Sequence, residues 1–221
     1  MTTGAPSSNS RKITVWVAKK DNQNNELDRI TESMLSPSEK DQLECRKNIN
    51  KRQEFLLSRA LMRHAISKNF NLNANKLVFT EIDNYLPDIR NIPSNTYISL
   101  THSGGMICFV ISTKPIGIDL EKIRKNTNLI DKSKYFMNEM EMNIFEKTNT
   151  PELFYKLWCI KEAYFKMLPK NQQSTTNMKD IDTTALIARN KTTIIEDEIG
   201  TFHLSIVSKE KYDGIQYEYF P

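Results

Sequence analysis

Residues 97–121, YISLTHSGGMICFVISTKPIGIDLE, carry the clearest β-sheet pattern in the sequence. Their apolar and β-branched residues predict three strands, at 97–101, 106–111 and 116–121. Residues typical of turns separate these strands, as HSGG at 102–105 and TKP at 113–115. The stretch therefore predicts three consecutive strands joined by short turns.

Helix and strand patterns continue on both sides of this stretch. Ser36, followed by Pro37 and Glu39, has the pattern of a capping box and predicts a helix start. Apolar residues at helical spacing predict further helices, at 50–68, 131–147 and 151–168. Short β-branched runs predict further strands, at 13–18, 77–82, 185–188, 192–196, 202–207 and 215–219. The pattern predicts an α+β fold with a flexible polar arm at 1–12, an N-terminal half at 13–112 and a C-terminal half at 113–221.

Composition excludes several classes of protein. The chain has 221 residues, of which 38% are hydrophobic and 26% charged, and a net charge of +4, which is typical of a soluble globular protein. Three cysteines without a Cys-x-x-Cys pair and three histidines exclude a disulfide framework, a zinc ribbon and a multi-histidine metal site. No apolar run reaches the roughly 20 residues of a membrane helix, and no signal-peptide pattern is present. We expect a cytoplasmic protein that binds neither membrane nor nucleic acid.

Two carboxylates lie in the last of the three central strands. Side chains alternate across a strand, so Asp119 and Glu121 share one face while Ile118 and Leu120 take the other. Neighbouring carboxylates repel each other unless a cation lies between them, and a hard divalent ion such as Mg²⁺ prefers oxygen ligands. The pair is therefore either a magnesium site or the solvated face of a half-buried strand, and the pattern leaves both open.

A second charged cluster falls in the predicted helix at 151–168. Within WCIKEAYFK at 158–166, Glu162 and Lys166 share a helix face, and Lys161 lies about 100° further round. These residues are either an exposed ion pair or a third metal carboxylate flanked by two cations that hold phosphates. Helical periodicity does not separate the two interpretations.

Further candidate anion ligands lie upstream of both clusters. His102 and Ser103, followed by two glycines, offer an imidazole, a hydroxyl and backbone N–H groups to an anion, although the segment also fits an ordinary hairpin turn. The arginine stripe, which consists of Arg52, Arg59 and Arg63, falls almost on one line along the predicted helix at 50–68. Such a stripe is either a solvated face or a phosphate-binding one.

Three of these segments occur together in a known family. SLTHS at 99–103, GIDLE at 117–121 and WCIKEAYFK at 158–166 resemble, in order and spacing, the motifs of the 4′-phosphopantetheinyl transferase superfamily in its longer, monomeric, Sfp-type form. RQEFLLSRALMR at 52–63 also resembles the family's helix before the histidine motif. Each motif alone is a weak signal, and the combination is specific.

The resemblance implies a pseudo-twofold pair of similar α+β halves, each with a small, mainly antiparallel sheet and packed helices, and coenzyme A in the cleft between them. It implies three Mg²⁺ ligands, Asp119, Glu121 and Glu162. It implies coenzyme A contacts from a second set, His102, Ser103, Lys161, Lys166 and Arg59. The implied reaction moves the phosphopantetheine arm onto a serine of an acidic apo carrier protein and releases adenosine 3′,5′-bisphosphate, with catalytic residues Glu162, Lys166 and Asp119.

Some points stay open from the sequence. The family often has a Gly-Lys-Pro segment before the histidine motif, and its lysine is missing from NYLP at 84–87. Many members also carry a glutamate in the helix before the one that contains WCIKEAYFK, and here either Glu139 or Glu141 takes its place.

Two other functions fit parts of the pattern. One is a Mg²⁺-dependent phosphohydrolase that acts on a nucleotide. The other is a non-enzymatic module that binds nucleic acid or an acidic protein through the arginine stripe, and it would not need the three carboxylates together.

Overall fold

A computed structural model of the chain describes residues 11–82, 85–125, 128–188 and 192–221. The helices are α1 (Asn25–Met34), α2 (Pro37–Glu44), α3 (Ile49–Phe70), α4 (Leu129–Ser133), α5 (Glu139–Thr148), α6 (Pro151–Met167), α7 (Lys170–Gln173) and α8 (Thr183–Ala188). The strands are β1 (Lys12–Lys19), β2 (Val78–Thr80), β3 (Asp88–Arg90), β4 (Tyr97–Ser103), β5 (Met106–Ser112), β6 (Ile116–Lys122), β7 (Thr193–Ile199), β8 (Phe202–Ser208) and β9 (Gly214–Tyr219). The predicted α+β class is confirmed.

The strands form three small, mainly antiparallel sheets. The first sheet has the order β4-β5-β1-β9, the second pairs β2 with β3, and the third has the order β6-β8-β7. Every pairing is antiparallel except that of β1 with β9, where Val15 lies beside Tyr217. The final strand therefore completes the sheet of the N-terminal half, although a division at residue 112 assigns it to the C-terminal half.

The first and third sheets lie between two long helices. One face of the first sheet packs on α3 through residues such as Leu61, Met62 and Phe109. Its other face packs on the third sheet, so Val15 and Val110 meet Leu120. The far face of the third sheet carries α6. Both faces of β5 are thus covered, which explains its nearly continuous apolar sequence.

Local signals explain most helix boundaries, and some predictions were wrong. The capping box at Ser36 is confirmed, because its side chain and that of Glu39 each bond the other's backbone N–H group. The predicted helix at 131–147 is two helices, since Asn138 caps a new one at α5. The predicted strand at 185–188 is helical, and Asp182 accepts a hydrogen bond from the N–H group of Ala185 at its start. Helix α1 and strand β3 are additional elements.

The beginning of the chain is partly described. Residues 1–10 of the predicted arm lie outside the described residues. Arg11 belongs to the fold, because its backbone N–H group donates to Asp213 Oδ2 over 2.8 Å, and Lys12 begins β1. Among the described residues, no helix combines the length and the apolar character required to cross a bilayer.

Candidate active site

The close approach of α6 to β6 determines the geometry of the site. Gly117 lies directly beneath the helix, and a Cβ atom at this position would be 1.8 Å from the carbonyl oxygen of Ala163. Only glycine permits that distance, so the helix backbone rests on the strand. The two faces that meet here carry the residues predicted from the sequence, which are Asp119 and Glu121 from β6 and Glu162 and Lys166 from α6.

Asp119 is the most buried of these carboxylates, at 4% exposure. Its Oδ1 atom accepts hydrogen bonds from Lys166 Nζ over 2.7 Å and from Thr101 Oγ1 over 3.0 Å. Its Oδ2 atom is buried and has no hydrogen-bond partner among the described residues. A buried carboxylate oxygen without a partner is costly, which makes Oδ2 a suitable ligand for a cation.

Glu121 lies two residues along the same face and is half-buried. Burial raises the pKa of its carboxyl group, the charge of Asp119 raises it further, and hydrogen bonds from Ser103 and Trp158 oppose the shift. Ser103 Oγ donates to Glu121 Oε2 over 2.9 Å. The predicted alternation along β6 is confirmed, because Ile118 and Leu120 lie in the core on the other face.

Glu162 is the carboxylate that α6 contributes to the cluster. Burial raises its pKa to about 7, with further contributions in the same direction from Asp119 and Glu121, while Lys166 opposes the shift. The three carboxylates are therefore electrostatically coupled across the contact between α6 and β6. A carboxyl group that titrates near neutral pH is a candidate proton acceptor.

The carboxylates suit a hard cation by their chemistry. They supply only oxygen ligands, they repel one another, and Asp119 keeps one buried oxygen without a partner. Across the described ranges, no three acidic, histidine or cysteine side chains converge as a preformed metal site. The donor set fits Mg²⁺, and the arrangement requires side-chain adjustment to enclose it.

A cleft of about 1260 Å³ opens beside the carboxylates and is lined by residues of both predicted halves. Glu162 and Lys166 line it from α6, and His102 and Arg59 line it from the N-terminal half. The His102 side chain is 50% exposed, and its Nδ1 atom lies 2.6 Å from Glu54 Oε1. His102 is therefore accessible to a ligand in the cleft.

Lys161 does not reach the cleft, which corrects the predicted phosphate contact. Its side chain is 0% exposed and its Nζ atom lies 2.6 Å from Glu141 Oε2. The same atom donates to the carbonyl oxygens of Phe136 and Met178, over 2.8 and 3.1 Å. The lysine therefore joins α5 and the 178–180 segment to α6. Of the two open candidates, Glu141 is the partner of this buried lysine, and Glu139 is exposed.

Two members of the arginine stripe, Arg59 and Arg63, are buried in ion pairs rather than solvated. Arg63 is 1% exposed and forms two hydrogen bonds with the buried Glu39, over 2.9 and 2.6 Å. Arg59 also pairs with Glu39, and its Nη2 atom donates to Glu81 Oε1 over 2.6 Å. Burial lowers the pKa of Arg59. Because α2 packs on α3, these arginines connect elements, and only Arg59 lines the cleft.

Several cleft residues were not predicted from the sequence. Arg46, Lys51 and Lys170 line the cleft, although none belongs to a recognisable motif. Tyr85 lies in the segment that lacks the expected lysine, and Lys170 Nζ is 5.1 Å from the centre of its ring. A cation from the start of α7 therefore lies beside that segment. Only the tertiary structure brings these residues together.

The fold and the site define a mixed α+β protein with a carboxylate cluster beside a large charged cleft. The sequence profile of the 4′-phosphopantetheinyl transferase superfamily matches residues 115–217. Among curated proteins, 4′-phosphopantetheinyl transferase psf-1 of Bacillus pumilus is 30% identical over 116 residues, which are 52% of this chain and 49% of the relative. Transferase Sfp of Bacillus subtilis is 27% identical over 139 residues, 61% of this chain and 60% of the relative.

A third relative, transferase gsp of Aneurinibacillus migulanus, is 27% identical over 196 residues, 86% of this chain and 79% of the relative. The chain spans less than two thirds of the length of the first two relatives. The chain is therefore similar to the 4′-phosphopantetheinyl transferase superfamily over residues 115–217, and its similarity to psf-1, Sfp and gsp agrees with the Sfp-type resemblance of its motifs.

Proposed function

We propose that this protein transfers the 4′-phosphopantetheine arm of coenzyme A to a serine of an apo carrier protein. The observation that carries the proposal is the position of Glu162 and Lys166, which line the cleft and also interact with the carboxylates of β6. A ligand in the cleft therefore meets a positive charge and a carboxyl group that titrates near neutral pH. The names of the three relatives support the same activity.

The proposed metal ligands are Asp119, Glu121 and Glu162. Their oxygen atoms suit Mg²⁺, and a cation would relieve the repulsion from Asp119 and Glu121 that adds to the effect of burial on the pKa of Glu162. The buried Oδ2 atom of Asp119 is a ligand position that the described protein leaves without a partner. When bound, Mg²⁺ would supply positive charge to stabilise the charge that develops on the pyrophosphate oxygens.

Glu162 is the proposed general base. Glu162 lines the cleft, where its carboxylate can accept the proton of the carrier serine directly or through water. The serine oxygen forms a bond to the phosphorus that carries the pantetheine arm. The bond from that phosphorus to the bridging oxygen breaks, and adenosine 3′,5′-bisphosphate leaves. Lys166, held by Asp119 Oδ1, supplies positive charge beside the phosphates.

The cleft residues of the N-terminal half are the proposed coenzyme A contacts. His102 is accessible at the cleft, and Arg59 lies in its wall. Ser103 contributes less directly, because its hydroxyl group is already bonded to Glu121. The net charge of +4 favours an acidic carrier protein. We propose that one copy of the chain acts alone, with the cleft between its halves as the active site.

The direct test is to incubate the protein with coenzyme A, Mg²⁺ and an apo carrier protein and to weigh the carrier by mass spectrometry. We expect the carrier to gain one phosphopantetheine group. Glu162→Gln should lose most of the activity, whereas Glu139→Gln, at an exposed position of α5, is the matched control and should keep it. Unchanged carrier mass across several carriers would refute the proposal.

The same reaction without carrier separates the transferase from a phosphohydrolase. A phosphohydrolase would release adenosine 3′,5′-bisphosphate from coenzyme A at the full rate with water alone. A transferase should release it only when the carrier serine is present. The arginine stripe does not favour a binding module, because two of its members, Arg59 and Arg63, are buried in ion pairs.

A further inference from the structure

Three alternate residues of β4 form a ladder of hydroxyl groups against β6. The two strands are edges of different sheets, so their backbones do not pair. Instead, each hydroxyl oxygen accepts a hydrogen bond from a backbone N–H group of β6. The pairs are Ser99 with Ile118 at 3.1 Å, Thr101 with Leu120 at 3.1 Å, and Ser103 with Lys122 at 3.2 Å. The hydroxyl ladder thus joins the first sheet to the third.

The protons of two of these hydroxyl groups go to the carboxylates. Each hydroxyl has one proton to donate and accepts through its lone pairs. Thr101 donates to Asp119 Oδ1 over 3.0 Å, and Ser103 donates to Glu121 Oε2 over 2.9 Å. Ser99 lies opposite the part of β6 that contains Gly117, and among the described residues it donates to no carboxylate. The ladder therefore contains two members that touch the cluster and one that does not.

We propose that Thr101 and Ser103 are positioning residues that orient Asp119 and Glu121 toward a divalent cation. The inference rests on the proposed function for its metal site. Thr101 and Lys166 both bond Oδ1 of Asp119, which leaves Oδ2 as the buried oxygen without a partner. The hydroxyl proton therefore selects which oxygen stays available. Because the same hydroxyl is held by the N–H group of Leu120, it cannot rotate away without losing a second hydrogen bond.

The test measures metal binding independently of catalysis. Mg²⁺ is titrated calorimetrically into the protein, alone and with coenzyme A present, and thermal unfolding is recorded for each variant. Thr101→Val keeps the shape of the side chain and removes the hydroxyl group. Outer-shell substitutions weaken metal binding about 10- to 100-fold, and we expect a loss in that range. Ser103→Ala, at a half-buried position, should weaken binding in the same direction.

Two controls separate orientation from folding. Thr101→Ser keeps the hydroxyl group, so its Mg²⁺ affinity should stay within about threefold of that of the original protein. Ser99→Ala removes a ladder bond without touching a carboxylate, so it should lower the unfolding temperature and leave Mg²⁺ affinity unchanged. Equal Mg²⁺ affinity in Thr101→Val, or an equal loss in Ser99→Ala, would overturn the proposal.

The result also distinguishes this inference from the proposed function. If the original protein binds Mg²⁺ and the variants follow the expected order, but no carrier is modified, the transferase proposal fails and the positioning role stands. If carrier modification occurs and Thr101→Val binds Mg²⁺ normally, the transferase proposal stands and the positioning role fails. A protein that binds no Mg²⁺ with or without coenzyme A overturns both the metal site and the role of the ladder.

Discussion

Replacement of Gly117 by alanine tests the contact on which the site depends. The added Cβ atom would lie 1.8 Å from the carbonyl oxygen of Ala163 and 2.9 Å from the backbone nitrogen of Met167. Ordinary carbon contacts require about 3.5 Å, so α6 must move away from β6 by about 1.7 Å. Both obstacles are helix backbone atoms, so a side-chain rotation cannot relieve them.

We expect Gly117→Ala to lower the free energy of unfolding by about 3 kcal/mol, at the upper end of the usual cost of overpacking. The displacement also separates Glu162 and Lys166 from Asp119. Since a misplacement of about 1 Å costs about 100-fold in rate, carrier modification should fall at least that far. Urea unfolding and the initial rate of carrier modification provide the two measurements.

Gly214→Ala is the matched control for this substitution. Gly214 also lies in a strand, but a Cβ atom there meets nothing within 4 Å. Its effect should stay within about 0.5 kcal/mol, as for a surface substitution. If Gly117→Ala were as stable and as active as Gly214→Ala, the close approach of α6 to β6 would not determine the geometry of the site.

Three further predictions concern Lys161, His102 and Glu162. Lys161→Met should lower the free energy of unfolding by about 3–5 kcal/mol, because Glu141 would be left as an unpaired buried charge, and adding Glu141→Gln should recover part of the loss in urea unfolding. His102→Ala should raise the KM for coenzyme A about 10-fold with little change in unfolding, since its side chain is 50% exposed; an unchanged KM would exclude the contact. Metal-free protein should lose about 2 kcal/mol of stability as pH rises from about 4.5 to about 7, because Glu162, with its pKa raised to about 7, binds its proton more tightly in the folded state. Glu162→Gln should flatten that profile, and an unchanged slope in EDTA would contradict the assignment.

Much of the fold follows from short-range patterns. The alternation in β6 correctly places Asp119 and Glu121 on one face, because side-chain direction along a strand depends only on backbone geometry. The capping box at Ser36 correctly marks a helix start for the same local reason. The helix break at Asn138 was also local, since its side chain accepts a hydrogen bond from the N–H group of Glu141. It was missed because the apolar periodicity continues across it.

The roles of individual charged residues do not follow from such patterns. Lys161 and Lys166 are five positions apart on one helix, yet one is enclosed by α5 and the 178–180 segment while the other lines the cleft. Arg59 and Arg63 are buried because Glu39 of α2 packs against them. Whether a charge is solvated or buried depends on elements distant in the chain, and helical spacing contains no information about them.

The order of the motifs, the α+β class and the resemblance to a family follow from the sequence alone, since these depend on residue identity and local periodicity. Which charges meet depends on the tertiary structure. It brings α6 onto β6 at Gly117, joins β4 to β6 through hydroxyl groups, and removes Lys161 from the cleft. The physical reason is that electrostatic coupling and burial depend on distances between elements, which arise only when the two sheets and their helices pack together.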